Sequence, residues 1–350
     1  MQKTLTYHYQ NLHQIPELDN QLPKTQEYIL SHLPNCEITI IENGGILAYY
    51  HKNQETTIAL RCEMDALPIL EQTNLSYQST NTNCMHACAH DAHMAILLTL
   101  AQNVSFIQTT SNILFIFEYA EETYGGAKYI IQHPKYQEYN IHSIYGLHIW
   151  PKLPKKIITS EYLMATSCEV IITIHGTSSH IADIDNQMDA NEIASQFLQQ
   201  ASLQQKHFII RFGIIKGGNA PNIISNQTII HGSIRALTIE HLEFAKKYLW
   251  QLSTLYMMRH SNIIEMNFTE GYPPLINTLE LIPTNIDIQS LSYFTTESFG
   301  YYLQNKKGLY VLLGTAQDIP LHSPQFIVPL DILSIGYQYF LHHITAEVAR

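Results

Sequence analysis

The feature that most constrains this chain is a change of rhythm partway along it. A helical opening over Leu12–Leu33 leads to the strand-like runs ITIIENGGILAYY and TTIALRCEMDAL, then to helical AHMAILLTLAQNV, strand NILFIF, helical GGAKYIIQH and strand IYGLHIW. Helices alternating with near-continuous apolar strands specify an α/β layer on a mostly parallel sheet. From Cys168 the order becomes strand CEVIITIH, helix DANEIASQFLQQASL, strands FIIRFGII and TIIHGSIRAL, helix EHLEFAKKYLWQLSTLYM and strand NIIEMNF. This β-α-β-β-α-β order is that of a ferredoxin-like unit with its own core. The turn GYPPL ends it, because its two prolines continue neither helix nor strand. A helical stretch around Ile288–Leu303, the strand GLYVLLGT and a last helix near Ile332–His343 resume the first pattern. The expectation is a discontinuous α/β domain, residues 1–166 and 272–350, carrying an inserted α+β domain, residues 167–271.

Charge and cysteine usage narrow the partners. With 30 acidic against 19 basic residues the net charge is -11, which excludes the clustered basic footprint of a nucleic-acid binder and favours small molecules. No apolar run is long enough to span a bilayer, and the opening residues lack a signal-peptide pattern. Five cysteines form no even framework and no CxxC pair, as expected of a reducing, cytoplasmic compartment.

Several chain segments place a chemically capable side chain just past a strand's end. In Met85-His86-Ala87-Cys88-Ala89-His90-Asp91-Ala92-His93, Cys88 and His90 can converge from a turn at a helix start as half of a metal site; a buried structural cysteine beside surface histidines is the other reading. Glu121 and Glu122 follow the strand NILFIF, where one carboxylate can hold metal while the other moves a proton, or where both simply favour a helix N-terminus. His148 ends the next strand, Arg61, Glu63 and Asp65 alternate at the end of another, and His322 follows GLYVLLGT. Five such segments together point to a hydrolytic metal centre. In the inserted domain, Ile229, His231, Ser233 and Arg235 share a strand face polar enough to look into a cleft. Asn222 and His180 lie in nearby loops, and each of His180, Asn222 and Arg235 can equally be an ordinary surface residue.

These passages carry a resemblance. LHQIPEL, MDALPILEQT, MHACAHDAH, AEETYGGAK, GLHIWP, GTSSHIAD, GGNAPNIIS, GSIRAL, EGYPP and LHSPQF together resemble the amidohydrolase branch of the M20 metallopeptidase family, over nearly the whole chain. AEETYGGAK and SSHIAD look most similar to bacterial N-acetyldiaminopimelate deacetylases.

The resemblance implies a mostly parallel-sheet dinuclear metallohydrolase domain with an inserted ferredoxin-like lid. It implies that Cys88, His90, Glu122, His148 and His322 bind two divalent ions, Zn, Mn, Co or Ni. Glu121 would be the general base that deprotonates the attacking water and later protonates the leaving amine, and Asp65 would orient the ligands from behind. His180 would steady the oxyanion, in dimeric relatives from the neighbouring subunit, while Asn222 and Arg235 would hold the substrate carboxylate. The implied reaction is deacylation of an N-acyl amino acid, foremost N-acetyl-L,L-diaminopimelate, by a homodimer joined through the lid. A broader aminoacylase or hippurate-type hydrolase, and an inactive paralogue that binds acyl amino acids or peptides, are the alternatives.

The chain departs from the family pattern in several places. Ala89 replaces a glycine, which strains the loop if a positive φ is needed there. Glu63 stands for Asp, Glu118-Tyr119 for Gln-Pro, Ser298 for an acid, and NIIS for NVIP. None removes an implied ligand or the base.

Overall fold

The apolar runs of the α/β pattern lie side by side in a computed structural model, which describes residues 1–42, 44–183, 185, 188–284 and 286–345. The chain forms two units: Met1–Glu161 with Asn277–Leu291 and Ser298–Arg350, and Tyr162–Ile276 with Ser292–Glu297.

In the first unit the strand Thr57–Glu63 lies between Asn112–Glu118 and Ile141–Trp150, parallel to both, and Lys307–Gly314 runs parallel to Ile141–Trp150. The hairpin Glu37–Ile40 and Ile46–Tyr50 adds antiparallel strands at one edge, and the short strands Ile157–Thr159 and Asp287–Ile288 complete the other. Every residue of Thr57–Glu63 and Asn112–Glu118 is buried, so these runs show no polar alternation. The helix His90–Asn103 is buried on all sides from His90 through Ala101, and Gln2–His13 and Leu333–Thr345 pack against it.

The strand order positions the site. From Thr57–Glu63 the chain crosses to Asn112–Glu118 on one side, then returns to Ile141–Trp150 on the other. Beyond the carboxyl ends of strands at such a reversal, an α/β sheet opens a crevice for ligands.

Two expected helices differ. The opening forms two helices, Gln2–His13 and Pro23–His32, because Pro16 interrupts the run and Pro23 is suited only to a first turn. Of the stretch Ile288–Leu303, only Gly300–Leu303 is helical. The carbonyls of Tyr293 and Thr295 instead accept from the Ala165 amide in the second unit, at 3.1 and 3.0 Å.

The helix Gln2–His13 is also tied down by a buried ion cluster. His13 Nδ1 lies 2.6 Å from Asp91 Oδ2 and its Nε2 lies 3.1 Å from Glu71 Oε1. Burial opposes charge on this imidazole, but Asp91 and Glu71 outweigh it and raise its pKa from 6.5 to about 9. A folded-state pKa above the unfolded one stabilises fully below the unfolded value and ceases to do so above the folded value. Unfolding free energy should therefore fall between pH 6.5 and about 9 by up to about 3 kcal/mol. Urea titrations of wild type and His13→Gln at pH 6, 7.5 and 9 check this; parallel pH dependences for the two proteins would refute it.

The second unit has an antiparallel sheet, ordered Ile263–Glu270, Thr166–His175, Gln227–Ala236, Phe208–Gly217 and Leu203–Gln204. The helices Ala190–Ala201 and Ile239–His260 cover one face, closing a core that includes Val170, Ile172, Ile174, Phe197, Ile230, Ile234 and Leu249. Strand alternation leaves Ile229, His231, Ser233 and Arg235 part-exposed on the opposite face. Among the described residues, no helix is long and apolar enough to cross a membrane.

Candidate metal centre

Three loops and one strand end of the first unit converge on the Cys88 sulfur. His148 Nε2 lies 3.5 Å from it and His322 Nε2 lies 3.3 Å from it. His322 Nε2 is also 3.4 Å from Glu122 Oε1, and His90 Nε2 lies 3.9 Å from the same oxygen. The loops are anchored by their backbones: the His322 amide donates to the Ala87 carbonyl at 2.9 Å, and the Glu122 amide to Asp65 Oδ2 at 3.0 Å.

Hydrogen bonds set the histidine tautomers. His90 Nδ1 faces the Asp65 carbonyl oxygen at 2.8 Å and His148 Nδ1 faces the Ile149 carbonyl oxygen at 2.7 Å. A carbonyl only accepts, so each Nδ1 carries a hydrogen and each Nε2 is the nitrogen left facing into the site. His90 Nε2 and Glu122 Oε1 are buried with no hydrogen-bond partner. Such orphaned atoms are costly unless something else satisfies them.

The electrostatics ask for a cation. Burial alone would strip His90 of its second proton, yet Asp65, Glu63 and Glu122 outweigh it and raise its pKa to about 10. Burial pushes the Glu122 carboxyl up, but His322 and His90 hold it at about 2. Burial, with His93 beside it, lowers His148 to about 3 and keeps it neutral. Burial, reinforced by Glu122 and Glu121, pushes the Cys88 thiol well above its ordinary value. That thiol is therefore a poor nucleophile unless a cation displaces its proton.

Three groups bring ligand atoms within 4.8 Å of one another: Cys88, His90 and His148; Cys88, Glu122 and His322; and His90, Glu121 and Glu122. Cys88, His90 and Glu122 each belong to two of them, as expected of neighbouring positions that share ligands. In a fourth group, Glu63, His90 and His93, two members are committed to other partners. His93 Nδ1 donates to Glu63 Oε2 at 2.8 Å while its Nε2 accepts from the Ile149 amide at 3.0 Å. Sulfur, imidazole and carboxylate donors with unsatisfied lone pairs fit divalent transition metals.

The model of peptidase family M20/M25/M40 matches residues 59–346 of the chain. The chain belongs to this family. It is accordingly a metal-dependent hydrolase. Among its M20 relatives, an uncharacterised hydrolase of Staphylococcus epidermidis is 32% identical over 337 residues, covering 89% of this chain and 88% of that one. Another, from Staphylococcus saprophyticus, is 30% identical over 339 residues, covering 90% and 88%. The fold matches the YXEP protein of Bacillus subtilis, a dinuclear metal-binding peptidase of the M20 family, with TM-score 0.89 at 23% identity, covering 99% and 98% of the two chains. It also matches the aminopeptidase PepT of Bacillus cereus, with TM-score 0.78 at 14% identity, covering 100% and 99%.

Within this M20 chain the five expected ligands and Glu121 come together in the first unit, with Asp65 behind His90 and Glu122. The other three expected residues lie in the second unit. His180 and Ile223 form a bridge, and the Asn222 carbonyl accepts from Ile181 at 3.1 Å, so His180 and Asn222 are neighbours. The Ala182 amide donates to His180 Nδ1 at 3.1 Å, which leaves Nε2–H as a donor. Arg235 lies near the far end of the 10-residue strand Gln227–Ala236, roughly 25 Å from its start at about 3.3 Å per residue. Its Nη1 donates to Thr296 Oγ1 at 3.3 Å.

Backbone strain marks the ligand loops. Ala89 has φ 67° and ψ 15°, Ala120 has φ 53° and His322 has φ 63°. Glycine relieves such strain at Ala89, though its looser unfolded chain offsets part of the gain. Ala89→Gly should stabilise the protein by about 1 kcal/mol. A raised urea midpoint checks this; a lowered one would contradict a strained alanine. Gly125 and Gly126 close the Glu121–Glu122 loop: Gly125 has φ 72°, and a Cβ on Gly126 would overlap the Tyr119 carbonyl oxygen.

Sequence reasoning missed how the departures Glu63, Glu118 and Ser298 relate. All three are buried around Arg61, which donates to Glu63, to Glu118 Oε2 at 2.7 Å and to Ser298 Oγ at 2.6 Å. The available signal was charge at the carboxyl ends of two neighbouring buried strands, Arg61 and Glu63 on one and Glu118 on the other.

Proposed function

We propose that this chain deacylates N-acyl amino acids, using two divalent cations held by Cys88, His90, Glu122, His148 and His322. The sulfur of Cys88, common to two groups of ligand atoms, carries this reading. N-acetyl-L,L-diaminopimelate is the foremost substrate, on the resemblance of AEETYGGAK and SSHIAD. The contrasting readings are a broader aminoacylase and a binding protein without turnover. Acetate or acyl-acid release from a panel of N-acyl amino acids, with Zn, Mn, Co and Ni, separates them. No turnover with any metal would defeat the enzyme reading for these substrates.

When bound, the cations would polarise the amide carbonyl and acidify water. Glu121, buried beside Glu122, takes the proton from the attacking water and delivers it to the leaving amine. Asp65 holds His90 and Glu122 through its carbonyl and its carboxylate. His180 offers an N–H to the developing oxyanion.

A substrate about two residues long spans roughly 7 Å and cannot reach both ends of the strand Gln227–Ala236. That separation favours a homodimer in which His180 and Asn222 serve the neighbouring subunit's substrate. Light scattering tests it.

Arg235 grips the carboxylate beside the scissile amide, since a guanidinium fits that anion with two parallel hydrogen bonds that Lys cannot reproduce. Arg235→Lys should cost roughly 1 to 3 kcal/mol in kcat/KM with metal content unchanged. Wild type should lose a similar amount on a substrate whose carboxylate is amidated. Equal impairment of the mutant on both substrates would make Arg235 structural.

A further inference from the structure

We propose that Arg61 and Glu118 are positioning residues for Glu121, acting through Ser298; the inference rests on the reading of Glu121 as the proton carrier. The Ser298 amide donates to Glu121 Oε1 at 3.3 Å. The Ser298 hydroxyl accepts from Arg61 Nη2 at 2.6 Å and donates to Glu118 Oε1 at 2.5 Å. With its oxygen gripped from both sides the side chain is held in one rotamer, which anchors the Cα of the residue whose N–H meets Glu121.

The grip is itself rigid. Glu118 accepts four hydrogen bonds, from Arg61 Nε at 2.7 Å, Ser298 at 2.5 Å, the Ala127 amide at 2.8 Å and the Tyr302 hydroxyl at 3.0 Å. Arg61 also donates to Glu63, whose Oε1 accepts from Tyr310 at 3.2 Å and whose Oε2 faces His93. The side chains of Arg61, Glu63 and Glu118 have no exposed surface. Three buried ionised groups are a poor investment in stability alone, since apolar residues of like volume often serve as well or better. They do specify one arrangement, and that arrangement ends on the carboxylate of Glu121.

The geometry also dictates a rescue. In Glu118→Gln the amide nitrogen replaces one acceptor: facing Ser298 it also faces the Ala127 N–H, and facing Arg61 it meets the Nε–H, so either orientation leaves a donor without its acceptor. Adding Ser298→Asp supplies two oxygens, one for Arg61 and one for the amide introduced by Glu118→Gln, and it restores the carboxylate count around Arg61.

The experiment compares wild type, Ser298→Ala, Glu118→Gln, Glu118→Gln/Ser298→Asp and Glu121→Gln as metal-loaded proteins. Kinetics use the N-acetyl amino acid that wild type cleaves fastest, with metal content and melting temperature measured alongside. Ser298→Ala and Glu118→Gln should each lower kcat roughly ten-fold or more, with KM and metal content held, because small displacements of a reacting group are expensive. The double variant should recover part of that loss, since the Ala127 amide still lacks its carboxylate acceptor. Unchanged kcat in both single variants, losses confined to KM, metal or melting temperature, or no recovery in the double variant would overturn the inference. Ser298→Ala removes only one hydroxyl and carries the test should Glu118→Gln fail to fold. Full activity in Glu121→Gln would sink the proton-carrier reading itself; an inactive Glu121→Gln beside a fully active Ser298→Ala would sink the positioning role alone.

Discussion

Glu121→Gln protein is expected to retain its metal and to turn over at least about 100-fold more slowly than wild type, the scale of lost general acid–base assistance. The glutamine keeps the shape of the side chain and can still accept the Ser298 amide, but it cannot take a proton from water. Glu121 also falls within one group of ligand atoms, with His90 and Glu122, so a ligand role is the competing possibility. Inductively coupled plasma analysis beside steady-state kinetics decides: metal lost together with activity would reassign Glu121 as a ligand.

Glu122→Gln is expected to fail in the opposite way, losing metal and, with it, essentially all turnover. Glu122 Oε1 faces both His90 Nε2 and His322 Nε2, at 3.9 and 3.4 Å, and no other described carboxylate stands between those rings. Removing its charge leaves three imidazoles, His90, His148 and His322, and a thiol that only a cation deprotonates, a weaker set for two divalent cations. Equilibrium dialysis should show at least one equivalent fewer bound metal per chain. Full occupancy in Glu122→Gln would defeat the assignment, and an acyl group trapped covalently on Cys88 would favour thiol catalysis instead.

Glu122 and His148 were legible because they sit at or just past a strand end, and Cys88 and His90 because they open a buried helix. His90 and His148 also carry their orientation locally, through carbonyls at Asp65 and Ile149. Partner choice inside the core was not legible. Arg61 and Ser298 are 237 positions apart, and nothing near either residue names the other. Only burial on adjacent strands makes Glu118 the acceptor for both. The expected helix over Leu12–Leu33 failed for a reason present in the sequence, Pro16 and Pro23, which outrank apolar spacing. The stretch Ile288–Leu303 failed for a reason absent from it: its middle residues bond to Ala165 instead of to one another.

The segment Ser292–Glu297 belongs to the second unit although most of that unit is contributed by Tyr162–Ile276. Thr296, which accepts from Arg235, stands two positions before Ser298, which donates to Glu121. A chimera that grafts only Tyr162–Ile276 from a relative would set a foreign arginine against this chain's own Thr296. A graft of the whole second unit therefore carries 292–297 together with Tyr162–Ile276, so that the arginine and its threonine partner travel together.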